Sequence, residues 1–193
     1  MATKNLDRAT ARERLLNAAS ELFYEEGVRT VGIDRVIEHA GVAKATLYNA
    51  FGSKDELVRA YLAHRHSLWR ERMMRELESG YSTPRERLLG VFDVLGASLA
   101  EPGYRGCAFI NASAEAHSGS AIEQASDEAR AWRHSMLAEL ATEAGAADPE
   151  TLARQLSLLY DGANVTARMD RDPHAAASAR TIAATLVDAA LQP

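Results

Sequence analysis

Apolar residues recur along this chain three and four positions apart, the repeat of one face of an α-helix. Leu15, Leu16, Ala19, Leu22 and Phe23 form the first stripe, in a helix expected from about Arg8 to Glu26 and ended by Gly27. Ile33, Val36, Ile37 and Ala40 give a two-turn amphipathic helix that stops at Gly41. From about Lys54 to Glu78 the pattern continues through Leu57, Val58, Tyr61, Leu62, Leu68, Trp69 and Met73. Phe92, Leu95 and Leu99 mark a helix that ends before Pro102. Ile122, Ala125, Ala129, Trp132, Met136 and Leu140 mark a long one that reaches the loop AGAAD. No alternating, β-branched run competes with these stripes. The pattern predicts an all-α chain of about nine helices.

Polar residues mark five of the starts. Thr83-Pro84-Arg85-Glu86 is an N-cap, a proline at the first helical position and a capping-box glutamate in order. Asp148-Pro149 and Asp172-Pro173 repeat the cap-then-proline signal. Ser53-Lys54-Asp55-Glu56 and Ser120-Ala121-Ile122-Glu123 are further capping boxes.

The last two helices are apolar on two sides. Leu152, Leu156, Leu159 and Ala163 line one face of the first, and Leu158, Val165 and Met169 line another. The final helix, AAASARTIAATLVDAAL, sets Ala176, Ala179, Ala183, Val187 and Ala190 beside Ile182, Leu186 and Ala189. A helix apolar on two sides is expected to be covered on two sides, either at the centre of a monomer or at an interface with a second copy. The small residues suit close contact with a second copy.

One short segment, AGVAKATLYNAF (residues 40–51), is too brief to fold alone. If Leu47 and Phe51 point inward at i and i+4, Ala45 and Asn49 point away, with Thr46 and Tyr48 on the flanks. A helix, a tight glycine turn at Gly41 and this second short helix make a helix-turn-helix, whose second member can enter the DNA major groove. The following helix opens at Lys54, where free backbone N–H groups can also hold a phosphate.

The formal charge of −5, taken over the whole chain, argues against a nucleic-acid binder. Its distribution changes that reading. Residues 1–60 hold nine basic and nine acidic side chains, so the acidity belongs to the remainder, with 13 and 18. Cys107 is the only cysteine, which excludes an intrachain disulfide framework and fits a reducing cytoplasm. The N-terminus lacks an apolar signal region, and no run approaches the roughly 18 apolar residues of a membrane span. A soluble, cytoplasmic protein without a membrane partner is expected. His64 and His66, two apart on a helix, face different sides, so no metal or other cofactor is expected.

The run from Leu15 to Leu57 resembles the DNA-binding domain of the tetracycline-repressor (TetR) family of bacterial regulators. The resemblance rests on Ala18, Leu22, Phe23, Gly27, Ile33, Val36, Ala40, Gly41, Val42, Thr46, Leu47, Tyr48, Phe51, Lys54 and Leu57. It implies a homodimer, with an N-terminal helix-turn-helix DNA-binding domain (residues 1–53) and a C-terminal helical ligand-binding and dimerisation domain (residues 54–193). It assigns Tyr48 and Lys54 to phosphates, and Lys44, Ala45, Thr46 and Asn49 to the groove surface. Three positions depart from the family's habit: Val31-Gly32 stands where Thr-Ser is frequent, Ala43 where Ser is usual, and Ala50 where His is frequent. Each removes a phosphate donor, and Arg29 and Arg35 are the basic residues that could replace them. Ordinary roles remain open for Tyr48, as a half-buried packing residue, and for Lys54, as a solvated lysine.

In the resembling family the stretch GYRGCAFINASAEAHSG is the sixth helix, at the ligand pocket, and here it is expected from about Cys107 to His117. Cys107, Ile110, Asn111, Ala114 and His117 would share one side, and Phe109, Ser113 and Ala116 another. Phe92, Trp132, Met136 and Tyr160 are candidate apolar walls, with Asn111 or His117 orienting a ligand. Plain core packing is the alternative for each.

The function expected is that of a ligand-responsive transcriptional regulator, a repressor released from a palindromic operator by a small molecule. Its partners would be double-stranded operator DNA, a second copy through the last two helices, and an effector the sequence does not identify. An enzyme finds no support: there is no glycine-rich phosphate loop, and Cys107 and His117 on one helix would lie about 15 Å apart. The other alternative is a helical protein-interaction module that does not bind specific DNA.

Overall fold

The computed structural model describes residues 9–192. Among them are nine helices and no strand: α1 (Ala11–Glu26), α2 (Ile33–Ala40), α3 (Lys44–Phe51), α4 (Lys54–Gly80), α5 (Pro84–Leu99), α6 (Ala108–Glu115), α7 (Ala121–Glu143), α8 (Pro149–Met169) and α9 (Ala175–Ala190). They fall into two compact units. The first runs to Ser67 and takes in Ala108–Asp127; the second holds Leu68–Cys107 and the chain from Glu128 onward. This division by packing differs from the expected functional division after residue 53. The early part of α4, the whole of α6 and the first turns of α7 pack with α1–α3.

Helix starts follow their capping chemistry, with three shifts. The expected start at Arg8 lies outside the described residues, and α1 begins after Thr10. The Glu13 N–H donates to the Thr10 hydroxyl at 3.2 Å, and the Glu13 carboxylate accepts from the Thr10 N–H at 2.7 Å. α5, α7, α8 and α4 start at their marked caps, and the Glu86, Glu123, Thr151 and Glu56 N–H groups donate to Thr83, Ser120, Asp148 and Ser53. Asp172-Pro173 does not open α9 directly. The Asp172 carboxylate accepts from the His174 N–H at 2.8 Å, which holds a turn, and α9 begins at Ala175. α6 is shorter than the expected Cys107–His117, which leaves both of those residues outside the helix.

In the first unit, Leu15, Ala19, Leu22 and Phe23 of α1 meet Val36 of α2, Leu47 and Phe51 of α3, and Leu57, Val58, Tyr61 and Leu62 of α4. Ala108 and Ala112 of α6, with Ile122 and Ala125 of α7, complete this core. The turn between α2 and α3 is set by Gly41, at φ 62° and ψ 43°. Its N–H donates to the Glu38 carbonyl, and the Val42 N–H to that of Ile37, each at 3.2 Å. That pair of bonds closes the helix end, and Val42 and Ile37 both pack against the core beneath it. Arg14 of α1 donates from Nε to the Ala40 carbonyl at 3.3 Å, which ties the turn to α1.

The second unit is built on α5, α8 and α9, with α9 packed against both of the others. Its core holds Phe92 and Leu95 from α5, Leu137 from α7, Leu152 and Leu156 from α8, and Ala183 and Val187 from α9. Close approach is explicit at Gly90, where a Cβ would sit 2.6 Å from the Tyr81 ring. Arg85 pairs with Asp188 at 2.6 Å and Arg180 with Asp93 at 2.8 Å, both linking α5 to α9. Among the described residues the second apolar stripe of the last two helices is covered only in part: Leu186 packs against the core, while Leu158 and Met169 are each 75% exposed, Ile182 50% and Val165 39%.

Candidate functional site

The short helix α3 presents the arrangement its spacing predicts. Leu47 and Phe51 are buried in the core, while Lys44, Ala45, Tyr48 and Asn49 are exposed and Thr46 is partly so. Tyr48 keeps 44% of its surface in solvent, more than a purely packing residue would. The N-cap of α3, Ala43, makes no side-chain bond, and neither does Gly32 at the start of α2, so first-turn N–H groups at both ends are left without a side-chain cap. Lys54 sits partly buried at the first position of α4, behind the Ser53 cap.

Two cations of this face are held by carboxylates. Lys44 Nζ lies 2.9 Å from Asp34 of α2, and both side chains are well exposed. That contact raises the Lys44 pKa, first by the hydrogen bond and then by the charge of Asp34. Arg35 pairs with Glu26 at the end of α1. Exposed pairs of this kind are weak and exchange readily for phosphate oxygens. Arg29 is placed differently. Its backbone N–H donates to the Glu115 carboxylate at 2.7 Å and its Nε to the Glu115 carbonyl at 3.0 Å, so the turn before α2 is fastened to the end of α6.

The candidate ligand residues divide between the two units. Phe92, Met136 and Tyr160 are buried in the core of the second unit, with Trp132 packed against it, and Cys107 is half-buried in the same unit. Phe109, Asn111 and His117 belong to the first unit. The side of α6 grouped around Ile110 and Asn111 is not the one buried in the core. Ala108 and Ala112 face the core, Asn111 is exposed, and His117 stands exposed in the turn after α6. Asn111 does border a shallow cleft with Phe23, Tyr24, Gly27 and Glu115.

Sequence reasoning missed a polar cluster inside the second unit. The Tyr104 hydroxyl donates to the Asn164 side-chain oxygen at 3.2 Å, and Asn164 Nδ2 donates to the Tyr160 carbonyl at 3.0 Å. Arg133 lies over the Tyr160 ring, 4.5 Å from its centroid, and donates from Nη2 to Asp161 at 2.9 Å. Burial, and then the neighbouring Cys107, push the Tyr160 phenol well above its ordinary value, so it stays protonated. Asn164 was the available signal: it is a polar residue on the face of α8 that carries Leu156, Tyr160 and Ala163 inward. Among the described residues no helix is long and apolar enough to cross a membrane.

Comparison with known proteins gives this geometry its family. Residues 15–61 match the model described as "Bacterial regulatory proteins, tetR family", and residues 84–183 match "Tetracyclin repressor-like, C-terminal domain". A TetR-family transcriptional regulator from Streptomyces coelicolor superposes with a TM-score of 0.85 at 31% identity, over 94% of this chain and 96% of that one. The transcriptional activator FasR of Mycolicibacterium smegmatis is 46% identical over 57 residues, 30% of this chain and 26% of FasR. The transcriptional repressor NemR of Escherichia coli is 28% identical over 105 residues, 54% of this chain and 53% of NemR. The matched segments thus span about a quarter to a half of these two relatives. With both halves of the chain matched and the helix-turn-helix in place, this protein belongs to the TetR family of DNA-binding transcriptional regulators.

Proposed function

We propose that the protein is a homodimeric repressor, without enzymatic activity and acting in the cytoplasm, that holds a near-palindromic operator and leaves it when a small molecule binds. The observation that carries this reading is α3, which buries Leu47 and Phe51 and turns Lys44, Ala45, Tyr48 and Asn49 to solvent. In the groove, Asn49 has the donor and acceptor pair that reads adenine, and Ala45 can rest on a thymine methyl. Tyr48 and Lys54 serve phosphates, with Arg35 on α2; Lys44 and Thr46 lie on the groove surface, where Lys44 also reaches a phosphate at the groove edge, and the uncapped N–H groups at the start of α3 add to the same field. The uncovered apolar stripe on α8 and α9 supports pairing of two copies, and a two-fold pair of α3 helices asks for inverted half-sites.

Effector control needs a ligand with different affinity for two arrangements of the dimer. α4 is the element suited to link them, since one helix carries Lys54 in the first unit and Met73 in the core of the second. Coupling of this kind is typically about 1–3 kcal/mol and is reciprocal. Of the pocket candidates, Phe92, Cys107, Trp132, Met136 and Tyr160 share one unit and are the ones we assign first to the effector. A gel-shift titration with the DNA upstream of its own gene tests the operator. Titration of a ligand with and without that DNA tests the coupling, because the two affinities must differ by the factor by which ligand weakens DNA binding. Equal affinities would remove the effector and leave a plain DNA-binding protein.

A further inference from the structure

We infer that Arg133 is the anchor for an organic carboxylate in the second unit, taken up in exchange for Asp161; this rests on the effector reading above and names the chemical class of the effector. The guanidinium is nearly withdrawn from solvent, with its side chain 12% exposed, and its carbon lies over the Tyr160 ring, 4.5 Å from the centroid. Its Nε is buried and has no hydrogen-bond partner among the described residues. Nε and Nη2 form one edge of the guanidinium plane, which matches the two oxygens of a carboxylate. Asp161 uses only the Nη2 half of that edge, through one oxygen at 2.9 Å. A buried donor without an acceptor is unfavourable in a folded interior, so the edge is half-used by its resident partner.

A ligand carboxylate would take both donors at once. Asp161 is itself 41% exposed, so on leaving Arg133 it returns to water at little cost. Charge is conserved in the exchange, one carboxylate replacing another beside one guanidinium. A neutral amide lacks that property: it offers a single acceptor and leaves the buried cation without a counter-ion when Asp161 goes. The apolar remainder of the ligand would lie against the Tyr160 ring, which belongs to the core cluster that also holds Phe92 and Met136. Among the described residues Asp161 is the acid paired with Arg133.

The test follows the Arg133 Nε–H signal by 1H–15N NMR in the full-length protein without DNA, during titration with sodium benzoate at constant ionic strength. Arg133→Lys assigns the signal by its loss. Benzoate should shift it, benzamide should not, and in isothermal titration calorimetry Arg133→Lys should bind benzoate about tenfold or more weakly than the natural chain, the loss of a charge-assisted bidentate contact. Asp161→Asn removes the competing carboxylate and should bind benzoate more tightly than the natural chain, which decides the matter even if Arg133→Lys does not fold. An unmoved Nε signal, equal shifts with benzamide, or weaker binding in Asp161→Asn would overturn the assignment. Because operator DNA is absent throughout, a benzoate that moves the signal but releases no operator in a separate gel shift supports the anchor while counting against effector control.

Discussion

Leu158→Asp separates assembly from folding. Leu158 stands on α8 with 75% of its surface in solvent, in line with Val165 and Met169, and it takes no part in the core of its own chain. Covering the exposed three-quarters of a leucine is worth about 1–2 kcal/mol at the usual area coefficient. Two-fold symmetry counts the residue twice, so its loss removes about 2–4 kcal/mol from the dimer and raises its Kd by a factor of about 30 to 1000. The two carboxylates would also lose water on association, which adds to the loss. The folded monomer should be nearly indifferent, within about 0.5 kcal/mol, as for other surface substitutions. Sedimentation equilibrium over a wide concentration range reads the first effect, and thermal melting of dilute protein reads the second. A dimer constant unchanged within threefold would refute the placement of the interface. A monomer that melts early would show instead that Leu158 supports the fold.

Further outcomes are expected on the DNA face and in the helix caps. Lys44→Ala should weaken binding to specific and random duplexes alike and make the salt dependence shallower by about one unit, while Asp34→Asn, which frees Lys44, should tighten both; fluorescence anisotropy at several salt concentrations checks the pair. Glu115→Ala removes the acceptor of the Arg29 N–H, so that amide should exchange its hydrogen about tenfold faster by NMR, with the Leu47 amide as the control that stays protected. The capping carboxylates Glu13 and Glu86 are held below their ordinary value of 4.5, and Asp148 below 3.8, by N–H groups that favour the charged form. A folded pKa below the unfolded one means that the stabilisation is complete above the ordinary carboxylate value and is lost as the pH falls through the lowered one. The melting temperature should therefore drop from about pH 4.5 downward, and Asp148→Asn should make that acid limb less steep.

The helices and the outward face of α3 were legible because their signals are local. Leu47, Phe51, Asn49 and Ala45 are placed by the 3.6-residue repeat alone, and Thr83-Pro84 or Asp148-Pro149 act within one turn of the cap. Where the reading slipped, a local signal was overlooked or had two uses. Thr10 and Glu13 form a capping box that would have moved the start of α1 from Arg8, and Asp172 serves the turn at His174 rather than the first turn of α9. α6 illustrates a different limit. Its buried residues are Ala108 and Ala112, small side chains that carry little weight in an apolar pattern, so the grouping of Ile110 with Asn111 did not show which side is buried. Partners distant in sequence were out of reach altogether. Glu115 meets Arg29 across 86 positions, and Asp161 meets Arg133 across 28, in pairings set by helix packing that a single sequence does not encode visibly.

The central claim is that the exposed residues of α3 read DNA. Selection of bound duplexes from a random pool, with the natural chain and with Asn49→Ala and Thr46→Ala, tests it most directly. The account predicts enrichment of two inverted half-sites by the natural chain. Each substitution should alter the preferred base at fixed positions within both half-sites and leave random-sequence affinity nearly unchanged. Enrichment of no sequence, or the same preference in all three proteins, would contradict it.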